Sequence, residues 1–210
     1  THRSIYLGFP LESMYAEDAA VLMQYALDWL CPTGSGNIDQ SNEYMGNYGY
    51  EDVGTGMNLH NPWAQSFTPT ADSITSVEFY MFQDSMSGDY FDILIYEDNG
   101  FNEPDYGGSW LAMGTLDGTE IPVGVSNADW VQCVFGGGGT PLVPGNTYWI
   151  VCSRYGFYDA QYWMVDYDLS YTQGEAKDYY TGIWNSQIFE LLFRTYSSQS
   201  ESQTVTVRPS

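Results

Sequence analysis

Phe91-Asp92-Ile93-Leu94-Ile95-Tyr96-Glu97-Asp98-Asn99-Gly100 is the stretch from which the rest of the chain is read. Side chains alternate with a period of two along an extended chain. Phe91, Ile93 and Ile95 therefore share one face, and Asp92, Leu94 and Tyr96 the other. Asn99-Gly100 ends the run with turn residues. The same pattern recurs outward: Val77, Phe79 and Met81 alternate with Glu78 and Tyr80, and Tyr148, Ile150 and Cys152 with Trp149 and Val151. Phe189, Leu191 and Phe193 alternate with Glu190, Leu192 and Arg194. Ser87-Gly88, Asp117-Gly118 and Pro144-Gly145-Asn146 punctuate these runs. Short alternating strands separated by such turns predict an antiparallel β-sandwich or barrel from Trp63 onward.

Composition narrows the function classes. The 210 residues carry 27 acidic and 5 basic side chains, a formal net charge of -22, with 17% aromatics. Nucleic acid and anionic membrane surfaces repel such a chain and are excluded as partners. Disordered chains of high charge are poor in aromatic and β-branched residues, whereas this chain is rich in both and is expected to fold. Lys177 is the single lysine, so surface polarity rests on Asp, Asn, Ser, Thr, Gln and Tyr, a balance typical of extracellular β-proteins. No apolar run approaches the roughly 20 residues of a membrane span. The sequence opens on Thr1 without a visible signal peptide and reads as a processed or excised part of something longer. It holds no N-x-Ser/Thr acceptor for N-linked sugar.

Residues 1–31 read as a strand-helix appendage. Ser4 to Phe9 is a short apolar run stopped by Pro10. Ala19, Leu22, Met23, Ala26, Leu27 and Leu30 then recur at helical spacing before Cys31-Pro32. One strand and one helix cannot bury their own apolar faces, so the segment needs a further layer to pack on. The segment from Ser4 to Leu30 resembles the last strand and helix of flavodoxin-like or amidotransferase-like α/β domains. Such domains carry their nucleophile earlier, and that resemblance implies no catalytic residue here. Residues 32–62, rich in Gly, Asn, Ser and Tyr without a period, read as a linker or long surface loop. Residues 198–210 read as a tail in which Thr204-Val205-Thr206-Val207 alternates like a strand in need of a sheet edge.

Between about residues 61 and 197 the chain resembles a family. Ala64-Gln65-Ser66-Phe67-Thr68-Pro69, Ile74-Thr75-Ser76-Val77, the Ile93 to Gly100 run, Pro141 to Val151 and Phe193-Arg194-Thr195-Tyr196 follow the order of secreted jelly-roll modules of the choice-of-anchor kind. The resemblance implies a mainly β fold, an antiparallel jelly-roll β-sandwich, in an extracellular or cell-surface protein. An acidic insertion, Phe101 to Tyr106, departs from it.

Four sets of residues are candidates for function. Asp98, Asn102, Glu103 and Asp105 gather hard oxygen atoms around a turn, as structural calcium requires, with Asp84 and Asp89 beside Gly88 as a second set. A solvated acidic loop is the competing reading. Tyr155, Tyr158, Tyr162, Trp163 and Tyr167 crowd one stretch, with Tyr171, Tyr179, Tyr180 and Trp184 soon after. They suit sugar stacking, a protein interface or the core alike. Thr204 to Val207 suit strand addition to a neighbouring copy. Cys133 and Cys152 sit in strand-like runs and are either bridged or buried free thiols.

No catalytic signature is present: His2 and His60 are isolated, and there is no nucleophile elbow, phosphate loop or metalloprotease helix. The expectation is a non-catalytic extracellular β-sandwich with a structural or adhesive role in a surface assembly, a filament subunit built by strand addition among the forms considered. Its partners would be copies of itself or neighbouring domains. The alternative is a carbohydrate-binding module of a multidomain secreted hydrolase.

Overall fold

The computed structural model describes residues 36–53, 62–86, 88–136, 139–155 and 161–198. The chain divides into two compact units, Thr1–Ser35 and Gly36–Ser210. The described residues all belong to the second. The strand-helix expected over 1–31 and the strand expected at Thr204 to Val207 lie outside the described residues.

The described residues form fifteen strands, numbered β1 to β15 in chain order, and each pairing between them is antiparallel. The first sheet runs β1 (Asn37–Asn42), β15 (Phe193–Ser197), β5 (Ser76–Gln83), β11 (Gln161–Asp166) and β14 (Glu190–Leu191). β2 (Tyr48–Asp52) also pairs with β11, and β8 (Asp129–Val134) with β5. The second runs β13 (Ile183–Ser186), β12 (Ala176–Tyr180), β3 (Trp63–Phe67), β10 (Tyr148–Tyr155), β6 (Tyr90–Glu97) and β7 (Ala112–Asp117). β4 (Ser73–Ile74) and β9 (Thr140–Pro141) make a small pair of their own.

The alternation read from the sequence sets the faces. Val77, Phe79 and Met81 of the first sheet and Phe91, Ile93, Ile95, Tyr148, Ile150 and Cys152 of the second enter one buried cluster, as a sandwich core requires. Leu94, Tyr96, Trp149 and Val151 form a separate cluster with Ala64 and Trp184 on the other face of the second sheet. Each fully buried aliphatic or aromatic side chain of this kind stabilises the fold by about 1.5–3 kcal/mol. Gly100 and Gly145 take φ values of 85° at the turns where the sequence places them, a region glycine enters without strain.

Two stretches depart from the expected pattern. Residues 37–42 and 48–52, inside the stretch read as linker, are β1 and β2. Their strands are polar and half exposed because each lies on an outer position of the first sheet. Only Gln40 and Asn42 turn fully inward, so no apolar period announces them. The run from Phe189 to Arg194 keeps its alternation but breaks at Leu192, where the strand leaves β11 for β5. Leu192 N donates to Met164 O at 2.9 Å on one side of the switch, and Tyr80 N donates to Leu192 O at 3.4 Å on the other.

Of the two states open to Cys133 and Cys152, the structure has both as free, buried thiols. Burial pushes the Cys133 thiol up to about 12 and the Cys152 thiol higher still. The thiolate is the reactive form. Neither residue is therefore expected to be alkylated by iodoacetamide in the native protein, while both are alkylated in guanidinium chloride. Peptide mass mapping after timed exposure reads this directly, and rapid native labelling of either would contradict it.

Candidate functional site

The outward face of the first sheet carries a band of aromatic side chains. Because cross-strand partners share a face, Trp130 of β8 stands beside Tyr80 of β5, Phe82 of β5 beside Tyr162 of β11, and Tyr50 of β2 one strand further. Ring centroids lie 5.2 Å apart for Tyr80 and Trp130. Phe82 and Tyr162 stack at 4.7 Å and 20°. Tyr50 meets Phe82 and Tyr162 edge-on at 5.1 and 5.0 Å. Phe82, Met164 and Leu192 fill the floor beneath. Tyr50 stays 50% exposed, and Tyr80, Trp130 and Tyr162 are half-buried.

Polar groups rim and order this band. The Arg194 guanidinium lies 3.9 Å from the centre of the Trp130 ring, a cation–π contact that fixes the indole. Arg194 is itself held by Glu78 at 3.0 Å and Glu43 at 2.8 Å. The Arg194 bond holds the Glu43 carboxyl below its usual range. Tyr196 donates its hydroxyl to Glu78 at 2.6 Å, and burial with that bond pushes the Tyr196 phenol up to about 12. At the other end Tyr162 donates to Asp84 at 2.9 Å. Its phenol is also pushed up to about 12, by desolvation first and the Asp84 bond second. The band thus offers neutral aromatic rings beside oriented carboxylates.

Of the aromatic residues singled out in the sequence, Tyr162 lies in this band and Tyr167 is exposed at the end of β11. Trp163 points the opposite way and is fully buried, edge-on to Phe79 at 4.7 Å, with its indole N–H on Leu192 O at 2.7 Å. The alternation that puts Tyr162 outside necessarily puts Trp163 in the core. Tyr158 and the side chain of Tyr155 lie outside the described residues. Tyr50, Tyr80, Phe82 and Trp130 were not singled out. They come from three distant stretches of sequence, β2, β5 and β8, and only the pairing register joins them.

The acidic loop closes on itself. Asp98 Oδ1 accepts from Gly100 N at 2.7 Å and Asn102 N at 3.3 Å, while its Oδ2 accepts from the Trp149 indole at 2.9 Å. Asn102 turns its amide to Glu175, Glu103 takes a bond from Asn99 at 3.4 Å, and Asp105 is exposed. An open polar pocket of about 450 Å³ lies beside the loop, lined by Glu97, Asp98, Asn102, Asn146, Thr147 and Tyr148. Among the described residues no three His, Cys, Asp or Glu side chains are grouped to hold a metal ion. The second set also separates: Asp84 bonds Tyr162, and Asp89 pairs with the buried Arg154 at 2.6 Å.

Inside the sandwich, Asp166 of β11 and Glu190 of β14 are cross-strand partners and both are buried. Asp166 accepts from Asp168 N at 2.8 Å, Ser170 N at 3.0 Å and the Ser170 hydroxyl at 2.5 Å. Glu190 accepts from the Gln65 amide at 2.6 Å, and Gln65 in turn accepts from Leu191 N at 2.8 Å. Desolvation pushes the Glu190 carboxyl up to about 8. The pair is bonded within the protein as an internal polar network.

No helix among the described residues is long and apolar enough to cross a membrane. No protein-family model matches the chain, and none of the curated proteins compared with it matches.

Proposed function

We propose that this chain is a non-catalytic, extracellular β-sandwich module of the jelly-roll class with an adhesive role, and that it attaches to neutral polysaccharide through the outward face of the first sheet. The band from Trp130 through Tyr80, Phe82 and Tyr162 to Tyr50, rimmed by Glu78 and Asp84, is the observation that carries the reading. Sugar faces are apolar and stack on aromatic rings, while carboxylates accept bonds from the hydroxyls at their edges. A chain of net charge -22 repels anionic glycans, which leaves neutral ones. The jelly-roll reading is supported by the connections β5 to β6, β7 to β8 and β10 to β11, each of which passes from one sheet to the other.

Affinity electrophoresis through gels cast with mixed-linkage β-glucan, xylan or mannan tests this. Retardation in at least one neutral polysaccharide, relative to a gel without it, is expected. Unchanged mobility in all of them would end the polysaccharide reading. Assembly by strand addition of Thr204 to Val207 is a separate proposal from the sequence pattern, tested by whether removal of residues 198–210 abolishes self-association in light scattering.

A further inference from the structure

The chain's single lysine is buried. Lys177 of β12 is 5% exposed, although 27 acidic residues on this protein could pair with it at the surface. Long ammonium side chains are rarely taken out of water without a specific partner. Its Nζ lies 3.3 Å from Glu175 Oε1 and 5.6 Å from the centre of the Trp149 ring. The same Glu175 Oε1 accepts a hydrogen bond from the Asn102 side-chain amide, 73 residues away in sequence. One carboxylate oxygen therefore holds both a primary amine and a carboxamide nitrogen.

The surroundings fix all three groups. Asn102 sits in the left-handed region at φ 59°, with its backbone N–H on Asp98. Asp98 in turn anchors the Trp149 indole over which Lys177 lies. Tyr106, Tyr179 and Trp184 pack against the same cluster with centroids 5.0–5.6 Å apart, a largely apolar wall. A held amine, a held amide and a shared proton carrier are the elements of an intramolecular transamidation, with proximity replacing an external catalyst.

We propose that Lys177 and Asn102 join in an intramolecular isopeptide bond, with Glu175 carrying the proton. The Lys177 ammonium gives a proton to the Glu175 carboxylate, and the freed Nζ lone pair attacks Asn102 Cγ. The tetrahedral adduct collapses with formation of Nζ–Cγ and cleavage of Cγ–Nδ2. The second Nζ proton passes to the leaving nitrogen, and the proton held by Glu175 departs with it as ammonium. The carboxylate is restored, and no oxidant or cofactor enters the balance. The leaving nitrogen already rests on the group that must protonate it. The product removes a charge from an aromatic pocket and ties the β6–β7 loop to β12.

Intact mass spectrometry of the full chain, denatured after folding and prolonged incubation, tests the proposal. The mass is expected to fall short of the sequence by one ammonia, and a digest should yield a branched peptide joining Asn102 to Lys177. Lys177→Arg, Asn102→Ala and Glu175→Gln should each restore the full mass. A wild-type mass equal to the sequence overturns the proposal. So does an ammonia loss that persists in Lys177→Arg, since that places the loss elsewhere, as in a succinimide at Asn99-Gly100.

Discussion

Between about pH 5 and pH 8 the protein is expected to lose stability through Glu190, and Glu190→Gln is expected to remove that loss. Glu190 is 4% exposed, bonded to Gln65, and surrounded by the acids Asp166 and Glu175, so burial raises its carboxyl from 4.5 to about 8. In the unfolded chain the group ionises near 4.5. Over the interval between those values the folded state holds a proton that the unfolded state has released, so stability falls as pH rises. It is highest below 4.5 and levels off above about 8. At about 1.4 kcal/mol per pKa unit the full loss is on the order of 5 kcal/mol. Glutamine keeps an acceptor for the Gln65 amide and cannot ionise. Urea denaturation of wild type and Glu190→Gln at pH 5, 6.5 and 8 isolates the effect: their stabilities should diverge with pH, the variant being the more stable at pH 8. Parallel curves would show that the carboxyl titrates normally.

Trp163→Ala is expected to cost about 3–5 kcal/mol, the range for truncating a large aromatic side chain in a close-packed core. The side chain is fully buried, its ring meets Phe79 edge-on, and its N–H satisfies Leu192 O where the strand changes partners. Truncation opens a cavity and leaves that carbonyl without its indole donor. Trp163→Phe should cost distinctly less, because it keeps most of the volume and loses the hydrogen bond. Guanidinium denaturation gives both values. A loss below about 1 kcal/mol for the alanine variant would mean that the ring is not packed as described.

These two residues also show what the sequence discloses. The strands around Phe91 to Glu97, Ser76 to Gln83 and Tyr148 to Cys152 are legible because a half-buried sheet imposes a period of two on apolar residues. Asp166, Glu190, Lys177 and Arg154 are buried against the tendency of their types: Glu190 and Arg154 through partners tens of residues away, Asp166 and Lys177 through ones within four residues, and no apolar period announces any of them. Aromatic residues are ambiguous for a different reason. Tyr and Trp serve core and surface equally well, so the crowding from Tyr155 to Tyr167 did not separate Tyr162 on the outer face from Trp163 in the core. The band itself depends on the register of β2, β5, β8 and β11, which only the folded chain sets. The polar strands β1 and β2 were hidden because their neighbours, not their own apolar content, hold them in the sheet.

The most direct test of the adhesive reading compares wild type with Tyr50→Ala/Trp130→Ala by affinity electrophoresis in whichever of β-glucan, xylan or mannan retards the wild type. Circular dichroism melting confirms that the double variant is folded. The account predicts that retardation falls at least tenfold in apparent affinity while the melting curve stays cooperative. Full retention of binding by the folded double variant would contradict it and move the site off the outward face of the first sheet.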